Sequence, residues 1–246
     1  MGDHPNFTDL SQPFTCVGVY ESTPAEVISV IKESEHKGAE SFVVTLMGDG
    51  TFGLREEYLN EEDLAQIFNC TGKPVMAIYY RWNFAGETID IADEERQDIL
   101  RMASRAGADA VDYVGDTYDP TSGPELFSEA AAEYSLASDG PPQETAPPRG
   151  SEAWERQQAE IEAFQEMGTE VQTSTHARVH LDPQEALEIA RDFDDLGADM
   201  VKLVSVDRSW EDLLDTFQAC VLMDRHLDAD FIMMSHGEHG ILGRYM

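Results

Sequence analysis

Lysine is nearly missing from this chain: Lys32, Lys37, Lys73 and Lys202 are the only four in 246 residues. Basic residues of both kinds number 16 against 49 acidic ones, a formal net charge of −33. Such a balance argues against nucleic acid and anionic membranes as partners. An acid-rich, lysine-poor surface suits concentrated salt, where screening makes like charge tolerable, so a halophilic source is expected. Cysteine is scarce too. Cys16, Cys70 and Cys220 are odd in number and far apart, which predicts buried free thiols in a reducing compartment. No run approaches the roughly eighteen apolar residues that span a bilayer, and residues 1–12 are polar and acidic, unlike a signal peptide. The sequence predicts a cytoplasmic protein. Neither GxGxxG nor GxxxxGK[ST] follows the first apolar run, so a nucleotide-binding open sheet lacks its usual signature.

What is present is a regular alternation. Strands are predicted at Phe14–Tyr20, Ser41–Met47, Pro74–Tyr80, Ala110–Val114, Glu170–Thr175, Met200–Val204 and Phe231–Ser235. Between them lie helical patterns at Pro24–Lys37, Glu61–Phe68, Asp93–Arg105, Ala153–Met167, Pro183–Leu196 and Trp210–His226. Several strands are continuous apolar runs, as in a parallel sheet covered on both faces. A short repeat supports this reading: Gly38-Ala39-Glu40, Gly107-Ala108-Asp109 and Gly197-Ala198-Asp199 each separate a helix from a strand, with glycine where a left-handed helix cap is wanted. The expectation is one α/β domain, 1–246, of the (β/α)8 TIM-barrel type, with seven strands recognised and the eighth unit missing at the C-terminal end. Residues 116–150, rich in Pro, Ser, Gly and acid, read as a flexible insertion, either a solvated linker or a lid.

Lys202 lies inside the apolar strand Met200-Val201-Lys202-Leu203-Val204. Burial of an ammonium favours the neutral amine, which can form an imine with a ketone; the alternative is an ion pair with a carboxylate such as Asp112. His176 ends the preceding strand, where an imidazole beside an amine suits proton transfer near neutrality. A zinc site from His236, Glu238 and His239, with His180, is conceivable, but ligand-like spacing in one stretch is weak. No metal and no cofactor are expected.

The segments Thr173-Ser174-Thr175-His176, Gly197-Ala198-Asp199-Met200-Val201-Lys202-Leu203 and Met233-Met234-Ser235-His236-Gly237 through Gly240-Ile241-Leu242-Gly243-Arg244 resemble, in order and spacing, the type I 3-dehydroquinate dehydratases. The resemblance implies a lyase that dehydrates 3-dehydroquinate to 3-dehydroshikimate, a step of the shikimate pathway to aromatic amino acids. In it Lys202 forms a Schiff base with this small-molecule substrate, His176 moves the proton and Arg244 holds the carboxylate. Arg81, in Ile78-Tyr79-Tyr80-Arg81, resembles the family's third-strand arginine and is a second substrate contact. Three positions depart from the pattern. The second strand ends in Thr45-Leu46-Met47 in place of a Glu-x-Arg pair, the turn after Arg81 lacks the Gly-Gly pair, and Val114 stands where the fourth strand carries a glutamate. An altered substrate or a weak or absent activity would follow, so an aldolase-type imine enzyme and a non-catalytic relative stay open. Seven strands leave edges that a second copy could cover, which makes a homodimer an expectation.

Overall fold

The structure is a computed structural model that describes residues 4–47, 52–81, 89, 91–119 and 144–240. Its strands are β1 Cys16–Val19, β2 Ser41–Thr45, β3 Val75–Ile78, β4 Ala110–Val114, β5 Glu170–His176, β6 Met200–Val206 and β7 Asp230–His236. Its helices are α1 Pro24–His36, α2 Glu61–Phe68, α3 Asp93–Ala106, α4 Glu152–Glu166, α5 Pro183–Asp195 and α6 Trp210–His226, with a 3-10 turn at Glu56–Tyr58 that the pattern did not announce. The strands form one parallel sheet in sequence order, β1 to β7. This is an α/β fold of the TIM-barrel type, with seven strands among the described residues where a closed barrel has eight. The chain divides into two compact units, Met1–Asp112 with Ala163–Val171, and Tyr113–Glu162 with Gln172–Met246.

Helix starts follow local chemistry. Thr23 caps α1: its Oγ1 accepts the Glu26 N–H at 3.4 Å and donates to the Glu26 carboxylate at 2.7 Å. The side chains of Asn60, Asp182 and Ser209 likewise accept first-turn N–H groups of α2, α5 and α6. The Gly-Ala-acid repeat ends three helices. Gly38, Gly107 and Gly197 take φ of 101°, 108° and 94°, where a side chain would be strained. The alanine that follows each donates its N–H back five residues, to Ser34, Ala103 and Phe193, closing a Schellman turn. The acid of the repeat then reaches the foot of a neighbouring strand: Glu40 accepts the Thr15 N–H at 2.9 Å, and Asp109 accepts that of Val75 at 2.8 Å.

The strands are covered on both faces, as their sequences implied: every residue of β3, β4 and β5 is buried. The first and last strands are the exceptions: Cys16 and Gly18 of β1 are exposed, and Asp230, Phe231, Ile232 and Met234 of β7 are only half-buried. Two expectations are corrected. The cysteines are free but not buried, since Cys16 is exposed on β1, and Cys70, in the turn after α2, and Cys220, on α6, are half-buried. Lys202 is half-buried rather than enclosed, so an apolar strand sequence alone overstated its isolation. Where the insertion is described, its two ends are anchored. Gln157 donates to the Gly115 and Thr117 carbonyls, the guanidinium of Arg156 lies 3.5 Å from the Tyr118 ring centroid, and Arg149 pairs with Asp192 and Asp195 on α5.

Candidate active site

β5 and β6 run side by side, with Ser174 opposite Lys202 and His176 opposite Val204. Side chains alternate along a strand, so Ser174, His176, Lys202 and Val204 share one face of the sheet. Strand geometry puts the Cα atoms of Lys202 and His176 about 8 Å apart, two residues along and one strand across. On the other side of Lys202 stands Ile232 of β7. Ser174 is fully buried, and its carbonyl accepts the Gly115 N–H at 2.8 Å.

His176 is 8% exposed and is held at two points. Its backbone N–H donates to Oε2 of Glu144 at 3.0 Å, and its Nδ1 lies 2.7 Å from the same oxygen. Beside a carboxylate, Nδ1 is assigned as the donor, which leaves Nε2 as the basic nitrogen of the neutral ring. Glu144 itself is 6% exposed and has a φ of 56°, an uncommon conformation for a glutamate. Sequence reasoning missed it. Glu144 comes from the segment read as linker, 32 residues before its partner, and no local pattern announces such a contact. Arg178 stands just past the end of β5, half-buried, with a φ of 57°. Burial pulls its proton affinity below the ordinary arginine value, and the Glu144 charge opposes that.

A buried aspartate braces the same unit. Asp207 accepts the Thr216 hydroxyl at 2.9 Å and the Ser235 hydroxyl at 2.6 Å, and its N–H donates to the His236 carbonyl at 2.9 Å, tying the ends of β6 and β7 to α6. His180 lies between Asp207 and Asp215, 3.9 and 3.4 Å away, and His239 meets the edge of Trp210 with centroids 4.9 Å apart. Among the described residues no group of three or more His, Cys, Asp or Glu side chains could hold a metal.

Arg81 and Asp112 belong to the first unit. Arg81 follows β3 in the first unit, half-buried, with its carbonyl accepting the Ile89 N–H at 2.7 Å. Asp112, the alternative ion-pair partner considered for Lys202, belongs to that unit as well, and its Oδ2 accepts the Tyr80 hydroxyl at 2.7 Å. Thr45 and Met47, which stand where the resemblance places the charged Glu-x-Arg pair, are buried. Arg244 lies outside the described residues. Among the described residues no helix is long and apolar enough to cross a membrane.

No curated protein matches the sequence. Solved structures do match the fold. The chain is similar to the 3-dehydroquinate dehydratase of Geobacillus kaustophilus, with a TM-score of 0.68 at 16% identity over 95% of this chain and 77% of that one. It is similar to the type I enzyme of Clostridium difficile, whose structure carries covalently modified comenic acid, with a TM-score of 0.66 at 14% identity, covering 96% of this chain and 79% of that one. The Enterococcus faecalis enzyme gives 0.65 at 15% identity, over 96% of this chain and 84% of that one. The sequence model of the type I 3-dehydroquinase family matches residues 152–246, the stretch that holds His176 and Lys202. Residues 152–246 thus match the type I 3-dehydroquinase family, and the fold of the chain is similar to that of these three 3-dehydroquinate dehydratases.

Proposed function

We propose that the protein is a lyase that dehydrates 3-dehydroquinate to 3-dehydroshikimate through an imine on Lys202. The amine of Lys202 adds to the substrate ketone and water leaves, giving an iminium that acidifies the neighbouring C–H. His176, its Nδ1 turned to Glu144, takes that proton on Nε2 and returns it to the departing hydroxyl, which leaves as water. Hydrolysis of the imine then frees the product and restores the amine. The supporting observation is the shared face of β5 and β6 that carries His176 and Lys202, within the stretch matched by the family. A half-buried position suits the lysine, because a small keto acid must reach it.

A second reading is favoured by buried Thr45 and Met47, which replace the Glu-x-Arg pair of the family. Uncharged side chains there remove charge-assisted contacts worth on the order of several kcal/mol to a polyhydroxylated acid. A different keto acid would then be the substrate of the same imine chemistry. Incubation with 3-dehydroquinate and borohydride, followed by peptide mapping, separates the two. An adduct on Lys202 with conversion to the enone supports the dehydratase. Adducts on Lys202 only with other carbonyl compounds move the substrate class, and no adduct on Lys202 with any of them removes the imine mechanism.

A further inference from the structure

We propose that α6 is the contact between two copies of this chain, paired antiparallel about a two-fold axis at Gln218. The helix has two apolar faces. One, with Leu213, Thr216, Ala219 and Met223, is buried against its own unit. The other faces solvent: Trp210 is 60% exposed, Leu214 65% and Val221 47%, three of the five large hydrophobic side chains that stand exposed among the described residues. Phe217, between them, is half-buried. At 3.6 residues per turn, positions 210, 214, 217 and 221 fall within about 60° of arc. Their spacing of four, three and four is that of a seam by which one helix receives another. Apolar surface gathered in this way, rather than scattered singly, marks an interaction site.

Charge identifies the occupant. Beside the seam, seven residues apart on one line, lie Glu211, Gln218 and Arg225, all exposed. An antiparallel copy centred on Gln218 sets Glu211 against the partner's Arg225 and Leu214 against the partner's Val221, and the two-fold axis makes each contact twice. The helix dipole favours an acid in the first turn and a base in the last, but it does not place them on one line beside the apolar stripe. A helix of an unrelated protein would require no such symmetry. Lipid and nucleic-acid surfaces are the wrong match for a chain at −33. The same net charge sets the condition for pairing. Two copies repel each other at long range, so the pair forms in salt, which screens that repulsion and leaves the apolar seam intact.

Sedimentation equilibrium of the full chain over a range of salt reads the association. Wild type is expected to be monomeric at low salt and dimeric at high salt. Leu214→Glu, a charge placed in the seam at a position that is already exposed, is expected to weaken the dimer at least about tenfold. Circular dichroism checks that the variant folds; if it does not, Val221→Glu carries the comparison. At the lowest salt that supports the wild-type dimer, Glu211→Arg and Arg225→Glu each weaken it. The double variant, which reverses the pair and keeps the net charge, recovers wild-type affinity. A wild type that stays monomeric at every salt overturns the proposal and leaves the seam to a helix of another protein. A dimer that survives a charge in the seam overturns it as well, and failure of the double variant to recover overturns the antiparallel pairing.

Discussion

One carboxylate oxygen, Oε2 of Glu144, accepts from His176 twice, through the backbone N–H at 3.0 Å and through Nδ1 at 2.7 Å. The backbone bond fixes where the strand ends, and the side-chain bond fixes how the ring faces. Glu144→Gln keeps an acceptor but removes the charge that stabilises the protonated imidazole. Turnover is expected to fall, by no more than the roughly 10²- to 10⁴-fold that a general acid/base contributes, while the adduct on Lys202 still forms. Wild-type kcat and an unchanged pH profile in this variant would leave Glu144 as a structural tether only.

Lys202→Ala and His176→Ala are expected to fail at different stages. Without the amine there is no adduct and no turnover, and the fold survives because the position is only half-buried. Without the imidazole the adduct forms but turnover drops about 10²- to 10⁴-fold. Mass spectrometry after borohydride and a continuous enone assay read the two effects. A Lys202→Ala enzyme with normal rate would sink the mechanism.

Stability should climb steeply with salt. At −33 the chain repels itself, and screening shortens the reach of that repulsion from about 30 Å at 0.01 M to about 3 Å at 1 M. Thermal melts between low and molar salt check this, and a flat Tm would remove the inference of a halophilic source.

Asp109 offers a pH test. Burial, the dominant cause, raises its pKa above the ordinary aspartate range, partly opposed by the Val75 N–H and His4. The folded chain therefore holds this proton more readily than the unfolded one. As pH falls toward the raised value the burial cost of the charge is relieved, and wild type should gain stability relative to Asp109→Asn. Urea titrations of both proteins at neutral pH and about one unit above the unfolded carboxylate value measure the difference. A gap that stays constant with pH would show that the carboxyl is not strained by burial.

Much of the framework was legible because it is local. The glycine stops at Gly38, Gly107 and Gly197 are written within three residues, and the predicted elements came out within two residues at each end. The shared face of His176 and Lys202 could be read as well, since strand alternation and parallel register follow from the β/α rhythm. Glu144 could not, because its segment has the composition of a linker and its partner is remote. Nor could the half-exposure of Lys202: how deeply a strand residue lies depends on its neighbours, and β7 beside it is itself only partly covered.

The acids at the feet of the strands have a consequence for how the fold can change. Glu40 holds the N–H of Thr15 and Asp109 that of Val75; Glu170 accepts the N–H of Phe7, and Asp194 accepts those of Asp228 and Ala229. Each clamps a stretch of backbone by a carboxylate outside the proposed site. Exchanges at His176 or Lys202 leave these clamps in place, so the chemistry of such a chain can change without loss of the bonds that anchor its backbone.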